Sequence, residues 1–98
     1  MIMGIPLRTV LLKIAGKRKG IGFHLDNHIP KLLHTANRGL LQYWNREVAN
    51  LISEMEFLAW RLPKNEAILN EVTVYRQRLQ NLIDSRLRQL GEQSLEGN

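Results

Sequence analysis

From Leu41 to Leu62 the apolar residues Leu41, Trp44, Val48, Leu51, Met55, Leu58 and Leu62 recur at alternating intervals of three and four. That spacing keeps one stripe along one side of an α-helix and requires a second helix against it. The chain carries its own complement, because Ile68, Val72, Tyr75, Leu79 and Leu82 repeat the same steps. Between the stripes, Pro63 ends the first helix and Lys64-Asn65-Glu66 forms a short polar turn in which Asn65 can cap the next. So short a connection makes the helices antiparallel. Folding about Pro63 and Lys64 then sets Ile68 beside Leu58, Val72 beside Met55, Tyr75 beside Leu51, Leu79 beside Val48 and Leu82 beside Trp44. Arg86 takes the next seam position, where a buried guanidinium needs a partner. The seam is expected to open there, with Arg86 lying on the Trp44 ring.

The N-terminal third reads differently. Val10, Leu12 and Ile14 alternate with their neighbours, as do Ile21, Phe23 and Leu25, and Gly16-Lys17-Arg18-Lys19-Gly20 separates the two runs. Period-two runs around a glycine-bounded segment predict a β-hairpin with a basic tip. An amphipathic helix through Leu7, Val10, Leu11 and Ile14, ended by Gly16, is the competing reading. Ninety-eight residues make one domain. Its expected parts are a basic arm over 1–28, a first helix over 29–62 with Gly39 as its weak point, a second over 66–90, and a flexible tail over 91–98.

Two helices leave apolar surface over. Tyr43, Phe57 and Trp60 fall on the side of the first helix away from its seam, and Leu69, Ile83, Leu87 and Leu90 fall to one side of the second stripe. Either the chain's own β-hairpin covers these groups, through Val10, Leu12, Phe23 and Leu25, or a second copy does. For so small a core a homodimer, docked as a four-helix bundle, is the expected remedy.

Chemistry is scarce. The absence of cysteine removes disulfides, thiolate ligands and thiol nucleophiles and leaves a cytoplasmic address as the default. His24 and His28 are four apart, a metal spacing on a helix, but the expected strand end separates them and no acidic residue follows at the matching distance. Ser53, Ser85 and Ser94 have no base to activate them. Glu47 and Glu54 sit where charges flank a helix pair. Neither an enzyme nor a metal or cofactor site is expected.

The formal net charge is +5. Arg8, Lys13, Lys17, Arg18 and Lys19 face only Asp26 within the first 28 residues. These cations lack the order of a phosphate-binding glycine loop. They suit contact with nucleic-acid backbone, or, with Met1, Ile2, Met3, Ile5 and Leu7, a membrane surface. Pro6, Arg8 and Lys13 exclude a spanning helix over this stretch. The expected function is that of a small, non-enzymatic, dimeric adaptor or regulatory protein. It would bind a protein partner through Tyr43, Trp44, Phe57, Trp60 and Arg86, and nucleic-acid binding through the basic arm is the alternative.

Overall fold

The computed structural model describes residues 6–96, and among them the chain is helical with no strand. Met1 to Ile5, the proposed membrane anchor, and residues 97 and 98 of the expected tail lie outside that span. Helix α1 (Leu7–Phe23) runs through a π-helical turn (His24–His28) into the short α2 (Ile29–Leu32). Helices α3 (Arg38–Ala59) and α4 (Glu66–Glu96) follow.

The expected β-hairpin is therefore replaced by a helical arm that passes straight through Gly16, Gly20 and Gly22. None of these glycines has a positive φ. The reason is burial. Val10, Ile14, Ile21, Leu25 and Ile29 are each at most 1% exposed, and burying such a side chain is worth about 1.5–3 kcal/mol. Each glycine in a helix interior costs only about 1 kcal/mol relative to Ala. The strict alternation of Ile21, Phe23 and Leu25 was misleading, since Ile21 and Leu25 also lie one helical turn apart. Phe23 between them is exposed.

Ile21, Leu25 and Ile29 step by fours. On a uniform α-helix each such step drifts about 40° around the axis, because the helix turns about 100° per residue. The wider π-turn absorbs that drift, and the Ile29 N–H reaches five residues back to the His24 carbonyl. Pro30 favours the irregularity, having no N–H to offer the Asp26 carbonyl one turn earlier.

The expected first helix is also interrupted. Residues 33–37 leave the helix, and α3 begins afresh at Asn37, whose side chain accepts a hydrogen bond from the Leu40 N–H at 3.0 Å. Thr35 Oγ1 accepts from the Asn37 N–H at 3.2 Å. Together they make a stop and a new N-terminus. At the other end α3 closes at Ala59, short of Leu62. Asn65 turns its side chain back to donate to the Ala59 carbonyl at 3.1 Å, while its own carbonyl accepts from Leu69 N–H. One residue thus closes α3 and opens α4. Helix α4 continues through Gly91 to Glu96 and does not stop at Leu90.

The hairpin of α3 and α4 is antiparallel, as the stripes require. Residues 59 and 65, 56 and 76, and 35 and 86 meet in turn along it. Its seam is wider than a two-helix seam. Val48, Ile52, Met55 and Ala59 are fully buried, whereas Trp44 and Leu51 are half-buried. On α4, Ile83 and Leu90 join Val72 and Leu79 in the core. The shift has a simple cause: α3 faces two helices, α4 and α1, so its apolar stripe must span both. The four ion pairs among the described residues each join different helical segments. Lys17 and Glu54 link α1 to α3, Arg18 and Glu71 link α1 to α4, Arg76 and Glu56 link α3 to α4, and Arg78 and Asp26 link α4 to the π-turn. The molecule is a slender three-helix bundle, 63 × 22 × 18 Å.

Candidate functional site: a groove between the arm and the third helix

An open groove follows the line where α1 meets α3. Lys13, Gly16, Lys17 and His24 form one wall; Trp44, Glu47, Leu51, Glu54 and Phe57 are on the other, with Asn50, Ser53 and Leu58. It exists because α1 presents glycine where a larger side chain would fill it. A Cβ on Gly16 would meet nothing within 4 Å, and one on Gly20 would touch only Leu51 Cδ1 at 4.0 Å.

At one end the π-turn builds an aromatic cluster. The His24 and His28 rings face each other with their Nδ1 atoms 2.9 Å apart. Trp44 packs against both, edge-on to His28 at 4.4 Å between centroids and tilted against His24 at 5.2 Å. Phe23 covers His28 at 6.4 Å and Tyr43 meets Trp44 edge-on at 5.2 Å. Desolvation, then the neighbouring His28, lowers the His24 pKa from its ordinary value.

The ring centroids of the two histidines lie 5.1 Å apart. With an imidazole radius of about 1.1 Å, that separation puts both Nδ1 atoms nearly on the line between the rings, the geometry of one shared N–H···N proton. Lone pairs aimed at one another do not converge on a third point, as two ligands of a metal would. The four-residue spacing of His24 and His28 therefore falls within one helical segment, not across a strand end, and it makes a hydrogen bond. No group of three or more His, Asp or Glu that could hold a metal occurs among the described residues.

The expected binding residues separate into two sets. Phe57 and Trp60 are 63% and 65% exposed and Tyr43 is also exposed, so the N-terminal arm does not cover them. Val10 and Leu25, expected over those rings, go into the core, while Leu12 and Phe23 stay exposed. Trp44 is capped by His24 and His28, not by Arg86. Arg86 instead donates to the Thr35 carbonyl at 3.4 Å and to Gln89 Oε1 at 3.3 Å, tying α4 to the connection before α3, with its Nε buried and unpartnered. The described cation over an aromatic ring is Arg61, 5.1 Å from the centre of Phe57.

The basic tip dissolves into a helix. Successive residues on a helix point about 100° apart, so Lys17, Arg18 and Lys19 fan out. Lys17 meets Glu54 at 3.3 Å. Arg18 makes a two-pronged contact with Glu71, Nε to Oε2 at 2.6 Å and Nη2 to Oε1 at 2.9 Å, and the Tyr75 hydroxyl donates to the same carboxylate at 2.6 Å. Hydrogen bonding to Arg18 holds the Glu71 carboxyl below the usual range, while burial and hydrogen bonding to Glu71 push Tyr75 up to about 12. Arg8 and Lys13 remain on α1, with Arg8 near its first turn.

Sequence reasoning missed the groove because it needs α1 to be a helix. The signal was present in Gly16 and Gly20, one turn apart and beside a lysine each. No helix among the described residues is long and apolar enough to cross a membrane. No family model, curated protein or solved structure matches the chain.

Proposed function

We propose that the protein is a small, non-enzymatic, dimeric adaptor that holds a protein partner on the exposed aromatic edge of α3. The observation that carries this reading is the exposure of Phe57 and Trp60, 63% and 65%, in a chain whose other two long helices already pack on α3. Large rings three residues apart are neighbours on one helix face, and aromatic residues clustered on a surface are typical anchors of protein contacts. Tyr43 continues the edge by two heptads from Phe57, beside Trp44.

The test is photo-crosslinking from the exposed position 61, beside the two rings, in the native host, followed by mass spectrometry of the product. One discrete heterologous partner is expected, and Trp60→Ala or Phe57→Ala should abolish its recovery while the helical content stays unchanged. Loss of helix in both variants would make the rings structural. Recovery of the partner at wild-type level from both variants would remove the edge as its binding site.

A further inference from the structure

We infer that the groove between α1 and α3 is the self-association surface, filled by a second copy related by a two-fold axis running along the groove. This rests on the dimeric part of the proposed function and specifies where the dimer forms. The charges decide the arrangement. Apart from His24, every ionisable group lining the groove is Lys13 or Lys17 on the α1 wall, or Glu47 or Glu54 on the α3 wall. One wall is positive and the other negative.

Two face-to-face arrangements of such a surface are open to a symmetric pair. With the axis across the groove, α1 lies on the second copy's α1 and α3 on its α3, bringing lysine to lysine and glutamate to glutamate. With the axis along the groove, each α1 lies on the other copy's α3 and heights along the groove are preserved. Lys17 and Glu54 stand at one height, since they already touch at 3.3 Å within the chain. The second copy's Lys17 therefore comes over Glu54, and four charges alternate in sign around the axis. Like-charge juxtaposition excludes the first arrangement and complementarity selects the second.

Shape and size agree with it. Gly16 lines the groove and a Cβ there would meet nothing within 4 Å, so the backbone of a second copy can approach closely at that point. In the resulting four-helix layer every neighbouring pair is antiparallel, an arrangement common in bundles. Helix α3 has 22 residues, about 33 Å of length, and two helices abreast are about 20 Å wide. Each copy thus offers roughly 650 Å², near the lower bound for a specific dimer. Phe57 lines the groove and is covered in the dimer, whereas Trp60 lies outside the lining and stays available to a heterologous partner.

The experiment is sedimentation of the full chain and two charge-reversed forms. Lys13→Glu with Lys17→Glu gives an all-acidic groove, and Glu47→Lys with Glu54→Lys gives an all-basic one. The wild type is expected to be dimeric. Each reversed form alone should dimerise on the order of tenfold more weakly or worse, and a 1:1 mixture should recover a heterodimer. Because the chain has no cysteine, a mixture of Lys17→Cys and Glu54→Cys chains reports the axis directly, with an oxidised 17-to-54 link expected. Should charge reversal unfold either form, Gly16→Leu takes its place, filling the groove from an exposed helix position, and should give a folded monomer.

A wild-type monomer would overturn the inference and the dimeric reading together, leaving partner binding at Trp60 to stand or fall by its own crosslink. A dimer whose mass ignores both charge reversal and Gly16→Leu would overturn the groove alone. A preferred 17-to-17 link would overturn the axis.

Discussion

The two interfaces of α3 are built to different standards. Against α4 it is sealed, with Val48, Ile52, Met55 and Ala59 meeting Val72, Leu79 and Ile83 at nearly zero exposure. Against α1 one side is equally dry, through Val10, Ile14 and Ile21, but the other is a trough between Gly16, Lys17 and Leu51. A helix that served only to thicken the core would gain by filling that trough with alanine or leucine. The difference suggests that the α3–α4 hairpin carries the stability, while the arm both completes the core and shapes a surface.

The comparison breaks most severely in the hairpin. Ile52→Ala removes a fully buried side chain and should cost about 2–5 kcal/mol, read as a fall in the urea midpoint of the whole chain. Ile14→Ala on the arm should fall at the lower end, about 2 kcal/mol. Its mark would be selective: amide exchange in α1 should accelerate before exchange in α3 or α4, and uniform acceleration would show that the arm and hairpin are one cooperative unit.

Smaller changes sharpen the contrast. Glu71→Gln loses the charge that receives Arg18 and Tyr75 and should destabilise by about 1 kcal/mol. Gly20→Ala should go the other way, stabilising by about 0.5–1 kcal/mol, since its φ is ordinary and a Cβ meets only Leu51 at 4.0 Å.

The smallest effect is the dependence on pH. The folded chain holds His24 below its ordinary value of 6.5, so as pH falls below 6.5 the unfolded chain takes up the proton first. Stability from this site is full above that value and declines beneath it until folded His24 is protonated too. Glu71 adds a second decline at lower pH, because its contribution is present above the ordinary 4.5 and lost as pH falls through its depressed folded value. Denaturation midpoints between pH 7.5 and 5.5 should drop in the wild type and stay flat in His24→Gln.

The hairpin was legible because its apolar steps of three and four fit one period only. The arm was not, because its signals were ambiguous at each place that mattered. Lys17 occupies the turn between Ile14 and Ile21 where an apolar residue would have declared the helix. Gly16 and Gly20 imitate the bounds of a turn, and Ile21 and Leu25 satisfy period two and period four alike. Asn37 is a readable cap, but Leu33, Ala36 and Leu40 keep the helical period across it, so the break at 33–37 is masked. That Tyr43, Phe57 and Trp60 lie off the seam follows from their spacing, whereas the partners of Trp44 depend on a π-turn that local sequence specifies only through Pro30 and the two steps of four from Ile21 to Ile29.

That turn sets the phase of everything before it. Tightened to an ordinary α-helical turn with all its residues kept, His24–His28 would wind further around the axis, and the chain from Leu7 to Phe23 would be turned out of phase with α3. Val10 and Ile14 would leave the core, Lys17 would no longer find Glu54, and the glycines would face elsewhere. The wide turn works as a key that sets the arm to one orientation, and with it the one face on which positive and negative walls stand side by side.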